Sequence, residues 1–210
     1  MKSALATLVL IGVLPACSAF QTPSTTRPLY LLQAERVREG DTTATAPATT
    51  LTVRPFTVTD AYGGFDFIWF KDGAYQRDAY HGWIARPGDM MADASVNLLG
   101  ASGCFSRVQR EDISLPTTRS LQATVTRFDA NLDATPPVAT IAIRFYLSGT
   151  DMTPLVVDTM AAEPLAKSDA DSAVKAWNAG LTKCLQTFVQ AVRAQPVKPA
   201  PATTAPAAAK

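Results

Sequence analysis

Residues 51–58 (LTVRPFTV) alternate apolar and polar side chains with period two and read as a strand, which Pro55 confines to an edge or bulged position. Residues 65–70 and 74–80 flank the turn signal Lys71, Asp72, Gly73 and read as a hairpin. Pro87 opens a helix that runs to about Ser102 and stops at Gly103, with Met91, Ala94, Leu98 and Ala101 as its buried stripe. Further strands are expected at 104–108, 121–127, 140–147 and 155–161. In the third of these, Ile141, Ile143, Phe145 and Leu147 oppose Thr140, Arg144 and Tyr146. The last helix carries the strongest period. Val174, Trp177, Leu181, Cys184, Phe188 and Val192 recur at three- and four-residue spacing, with Ser168 as the expected cap, Asp171 as its capping-box partner and Asp169 beside the positive end of the dipole. Together these elements predict a single α+β domain, a mainly antiparallel sheet with two main helices packed on one face.

The two ends of the chain follow other rules. Residues 4–13 are an apolar run behind Lys2, too short to cross a bilayer and of the length of a signal-peptide core. The run ends in LPAC at 14–17, which resembles a bacterial lipobox. That resemblance implies diacylglycerol transfer to Cys17, cleavage after Ala16, so that 1–16 is a signal peptide, and acylation of the new amino group. Ser18 follows the cysteine where aspartate is the usual inner-membrane retention signal, which favours the outer membrane. Residues 17–50 are dominated by Thr, Pro, Ala and Gln and read as an acylated cysteine followed by a flexible tether. Within it, residues 27–32 (RPLYLL) are apolar enough for a short strand. The folded part is expected at 51–195, and 196–210 is a Pro/Ala tail.

Composition changes the picture mainly by exclusion. Nineteen Lys and Arg against 18 Asp and Glu leave no basic excess for a nucleic-acid backbone, and loss of Lys2 makes the mature chain neutral. His81 is the only histidine, so a nucleophile–base pair has one candidate base, and a structural role suits it better. No cluster has metal-ligand spacing; no catalytic, metal or cofactor site is assigned. Cys104 and Cys184 would lie in an oxidising compartment, either paired or as two separate buried thiols. Eight aromatics fall between Tyr62 and Trp83, too many for one face of one hairpin. Phe67, Trp69, Phe70, Tyr75, Tyr80 and Trp83 are therefore a candidate partner interface, against the alternative of a hairpin packed on both faces.

The order of these parts, with the stretches LTVRPF at 51–56, FIWFKDGAYQ at 67–76, WIARP at 83–87 and VNLLGASGCFSRV at 96–108, resembles the ABC-type transport auxiliary lipoprotein family. In that family an aromatic-rich strand leads through a Trp-x-x-x-Pro step into a helix ending Ser-Gly-x-Phe-x-x-Val. Trp83 and Pro87 fill the step here, and Ser102, Gly103, Phe105 and Val108 fill the exit. Trp69 and Phe70 depart from the Tyr-Arg often found there. The resemblance implies a non-enzymatic lipoprotein on the periplasmic face of the outer membrane of a Gram-negative bacterium. Its implied partner is the mammalian-cell-entry (MCE) domain protein of an ABC lipid transporter, and a homo-oligomer is expected. A lipoprotein that assists outer-membrane β-barrel assembly and a ligand-binding lipoprotein are the alternatives.

Overall fold

The computed structural model describes residues 26–35, 49–111, 113, 115–150 and 152–195; Cys17, the signal peptide, most of the expected tether and the tail lie outside them. The strands are β1 (Leu29–Tyr30), β2 (Thr50–Val53), β3 (Thr57–Val58), β4 (Asp66–Lys71), β5 (Ala74–Trp83), β6 (Arg107–Arg110), β7 (Arg119–Asn131), β8 (Val138–Gly149) and β9 (Leu155–Pro164). The helices are α1 (Pro87–Ala101) and α2 (Ala170–Arg193). One mixed sheet carries both helices on a single face, an α+β domain as expected.

β7 organises the sheet. One of its edges pairs antiparallel with β8, and β8 pairs with β9. Its other edge takes three short strands in succession, all parallel: β2 at residues 119–121, β3 at 124–125 and β4 at 130–131. The single strand expected at 51–58 is thus two strands on one edge, broken where Pro55 cannot donate to the ladder. These parallel pairings are the part of the topology that alternation could not show, because period two is the same in either direction.

A bulge in β7 keeps its long face buried. Leu121, Ala123 and Val125 face the helices, then the register shifts between Val125 and Arg127, and Phe128 and Ala130 continue the buried row. β8 needs no such shift: Ile141, Ile143, Phe145 and Leu147 are all buried on odd positions. Onto this face α2 lays Val174, Trp177, Leu181, Cys184, Phe188 and Val192, every one buried as the spacing predicts. Its cap is Asp169 rather than Ser168: the Asp169 carboxylate accepts from the Ser172 amide at 2.8 Å, and the expected partner Asp171 accepts instead from the Tyr30 hydroxyl. In α1 the stripe of Met91, Ala94 and Leu98 is buried, while Ala101 in the last turn is exposed. The strand expected at 104–108 begins only at Arg107.

The folded layer also begins earlier than residue 51. β1 pairs parallel with the end of β5, Leu29 opposite Gly82 and Tyr30 opposite Trp83. Beyond it the backbone amides of Gln33 and Glu35 donate to the side chains of Asn178 and Thr182 on α2. Leu32 is part of the core.

Candidate functional site

The β4–β5 hairpin turns through Asp72 and Gly73, both at positive φ (53° and 73°), the backbone of a tight two-residue hairpin turn. The Asp133 carboxylate in the β7–β8 connection accepts from both turn amides, at 3.0 and 2.9 Å, and so pins the hairpin tip to the sheet.

The aromatic residues divide between two environments. Phe67 and Trp83 are buried, with centroids 4.3 Å apart, and both rings contact Trp177, at 5.3 Å each. Phe128 completes the group at 5.0 Å from Trp177, and Trp69 lies half-buried at 6.0 Å from it. These rings fill space against one another, so Phe67 and Trp83 belong to the core, not to an interface. Strand alternation turns Phe70 to the other, helix-free face, where it meets Tyr75 edge-on at 5.1 Å. Tyr75 is 58% exposed and Tyr80 is 72% exposed, the two of the six candidates that face solvent.

Tyr80 owes its display to a bulge. Ile68 pairs with Arg77 and Asp66 with Gly82, so β5 carries extra residues between them. The amides this frees are satisfied by one side chain. Asp78 accepts from the Tyr80 amide at 2.7 Å, the His81 amide at 3.1 Å, Trp69 Nε1 at 2.9 Å and His81 Nδ1 at 2.7 Å. Burial acts to raise the Asp78 carboxyl, but the bonds from Tyr80, His81 and Trp69 outweigh it and hold the pKa below its ordinary value. The carbonyls are satisfied by Arg27, which donates to the backbone oxygens of Asp78 and His81 and forms an ion pair with Asp66 at 2.6 Å. His81 is thus a member of this frame, packed near Tyr30 and Phe67 at 6.1 and 6.3 Å.

A second polar group lies near Tyr62 and Tyr75 on the helix-free face. Asp129 is fully buried and binds Arg127 through both carboxylate oxygens, at 2.7 and 3.2 Å. Tyr62 lies close by; burial first, then the charge of Asp129, pushes its pKa up to about 12. Sequence reasoning singled out none of Arg27, Asp78, Arg127 or Asp129. The one local signal was an aspartate two residues ahead of an amide it could bond, at Asp78 and Tyr80.

The cysteines are separate. Both Cys104 and Cys184 are free thiols, so the bond weighed from the sequence is not formed. Cys104 sits just past α1, whereas Cys184 lies under α2 with its thiol directed at the Ile141 carbonyl at 3.9 Å. Arg193 reaches the Ser102 carbonyl at 2.8 Å, so the end of α2, not its middle, adjoins Cys104. Among the described residues no group of His, Cys, Asp and Glu could hold a metal, and no helix is long and apolar enough to cross a membrane. A groove of about 550 Å³ runs between residues 31–35 and α1, lined by apolar Leu32, Met90 and Ala94 and by polar Glu35, Asp93 and Asn97.

A family model described as ABC-type transport auxiliary lipoprotein component matches residues 30–188. In fold the chain is similar to a crystal structure of a protein from Xanthomonas campestris, at 18% identity over 77% of this chain and 92% of that one, with a TM-score of 0.64. It is also similar to the crystal structure of a protein described as uncharacterized, at 16% identity over 80% and 95% of the two chains, with a TM-score of 0.58. At these identities the likeness is one of fold. No curated protein matches the chain in sequence.

Proposed function

The chain belongs to the ABC-type transport auxiliary lipoprotein family, and from that premise we propose that it is a docking subunit of an envelope lipid transporter, held to the outer membrane through acylated Cys17. The observation that carries this reading is the extent of the match: residues 30–188 run from β1 nearly to the end of α2, so the whole domain is shared, not one motif. The proposed partner is an MCE-domain protein of an ABC lipid transporter, and the proposed contact is the outer side of the β4–β5 hairpin. There Tyr75 and Tyr80 offer large rings with few rotatable bonds, set on a backbone whose polar groups are already paired. Docking of a tethered domain also gains from local concentration without further contact area. A neutral mature chain suits a surface that recognises by shape rather than charge.

The test is extraction of the acylated protein from its own membranes in mild detergent, with wild type and Tyr75→Ala/Tyr80→Ala compared. Recovery of an MCE-domain protein with wild type, and its loss with the double variant, supports the docking reading. Recovery of a β-barrel protein would replace it with an assembly role, and recovery of a bound small molecule alone with a ligand-binding role. The inner aromatic rings pack against one another, and among the described residues the groove beside α1 is a candidate place for such a ligand.

A further inference from the structure

The helix-free face has an apolar corner where the described chain begins. In the register of β1 on β5, Leu29 stands beside Gly82, and the Ile84 amide donates to the Tyr30 carbonyl, which brings Leu31 beside Ile84. Tyr30 and Trp83 point to the core, so Leu29 stands on the opposite face of β1, with Leu31 and Ile84 beside each other just past the strand ends and Leu31 also at the rim of the groove by α1. All three are open to solvent, at 57%, 48% and 59%, and Tyr80 flanks them from the bulge. Gly82 lies in their midst because a Cβ there would come within 2.6 Å of the Arg27 guanidinium and 2.7 Å of the Phe65 carbonyl. Arg27 therefore lies on the same face, its charge met by Asp66.

We infer that this corner is a second membrane contact, in which Leu29, Leu31 and Ile84 enter the head-group region of the bilayer that holds Cys17. The inference rests on the proposed acylation of Cys17. The connecting chain fixes the choice of occupant. Leu29 is twelve residues from Cys17, so the chain allows a separation of at most about 40 Å, and a lipid surface is always within reach of this face. Three exposed aliphatic side chains grouped where the connecting chain enters the fold supply the apolar part of an interfacial anchor. The contact would orient the domain, with the helices turned away from the bilayer. Acyl chains alone leave that orientation free.

The experiment uses the full acylated chain in a Cys104→Ser background, reconstituted into vesicles of phosphatidylethanolamine and phosphatidylglycerol. A nitrobenzoxadiazole label is placed on Ile84→Cys, or as a control on Gln190→Cys, exposed on α2 beyond the sheet. Label at 84 is expected to shift to the blue and to be quenched by nitroxide-bearing lipid, while label at 190 stays water-like. Water-like emission at 84 in a chain whose intact mass carries the lipid would overturn the contact and leave the anchor standing. A blue shift without nitroxide quenching also overturns it, because protein is then the cover. An intact mass without lipid, and no vesicle association, removes the anchor and the contact together.

Discussion

Asp78 shows how one buried carboxylate can set the conformation of a strand. It takes four hydrogen bonds, two of them from amides that the bulge leaves without ladder partners. Asp78→Asn keeps the shape but removes the charge and half the acceptor capacity, with an expected loss of about 1–3 kcal/mol in a urea unfolding series. The folded carboxyl lies below its ordinary value of 3.8. Its contribution is therefore complete above that value and is lost as pH falls through the lower, folded one. The stability gap between wild type and Asp78→Asn should accordingly be full at neutral pH and close on acidification below about 4; a gap independent of pH would mean that the charge has no role. The thiols give a second contrast. Burial pushes Cys184 up, with a partial offset from Thr159, whereas Cys104 is half-exposed. With a disulfide-exchange reagent, Cys104 should react in the native protein and Cys184 only on unfolding, and reduction should leave the intact mass of the domain unchanged.

The elements differ in how much of them a sequence can show. α2 was legible because all its buried residues lie on one helix and repeat at one period, so no distant partner is needed to find the face. Its cap was misplaced by one residue, since Ser168 and Asp169 are adjacent and both fit; geometry decides, with Asp169 bonded to the Ser172 amide. Asp169→Ala should therefore lower stability by about 1 kcal/mol and Ser168→Ala should leave the melting temperature nearly unchanged; the reverse order would restore the expected cap. The hairpin was legible as a hairpin, through its Asp-Gly turn, but not in its facing. Alternation assigns faces only as far as the next bulge, and β5 has one at the point where Tyr80 turns outward. Sequence pattern thus grouped these aromatics and could not separate Phe67 and Trp83, which pack on Trp177, from Tyr75 and Tyr80, which do not.

At the scale of the whole molecule the parallel pairings explain why the short strand expected at 27–32 belongs with the sheet, ahead of the boundary expected at 51. A two-residue strand such as β1 carries no period of its own. It is held by partners far along the chain: Arg27 to Asp66 and the β5 carbonyls, Gln33 and Glu35 to α2, Tyr30 to Asp171. Composition set this strand inside the tether because its Thr- and Ala-rich surroundings outweigh the five apolar positions at 28–32. The contacts make residues 27–35 a clasp that joins the edge of β5 to α2 across the end of the sheet. Arg27→Ala would remove the ion pair to Asp66 and leave two bulge carbonyls without their donor. A loss of about 1–3 kcal/mol is expected, with faster hydrogen exchange at Gly82 and Ile84, whose amides bond residues 28 and 30. Exchange confined to those amides, with the unfolding midpoint unmoved, would show instead that the clasp frays without reaching the core. If the midpoint moves, the segment nearest the proposed anchor is part of the folding unit, and any force applied ahead of residue 27 is carried directly into the strand that displays Tyr80.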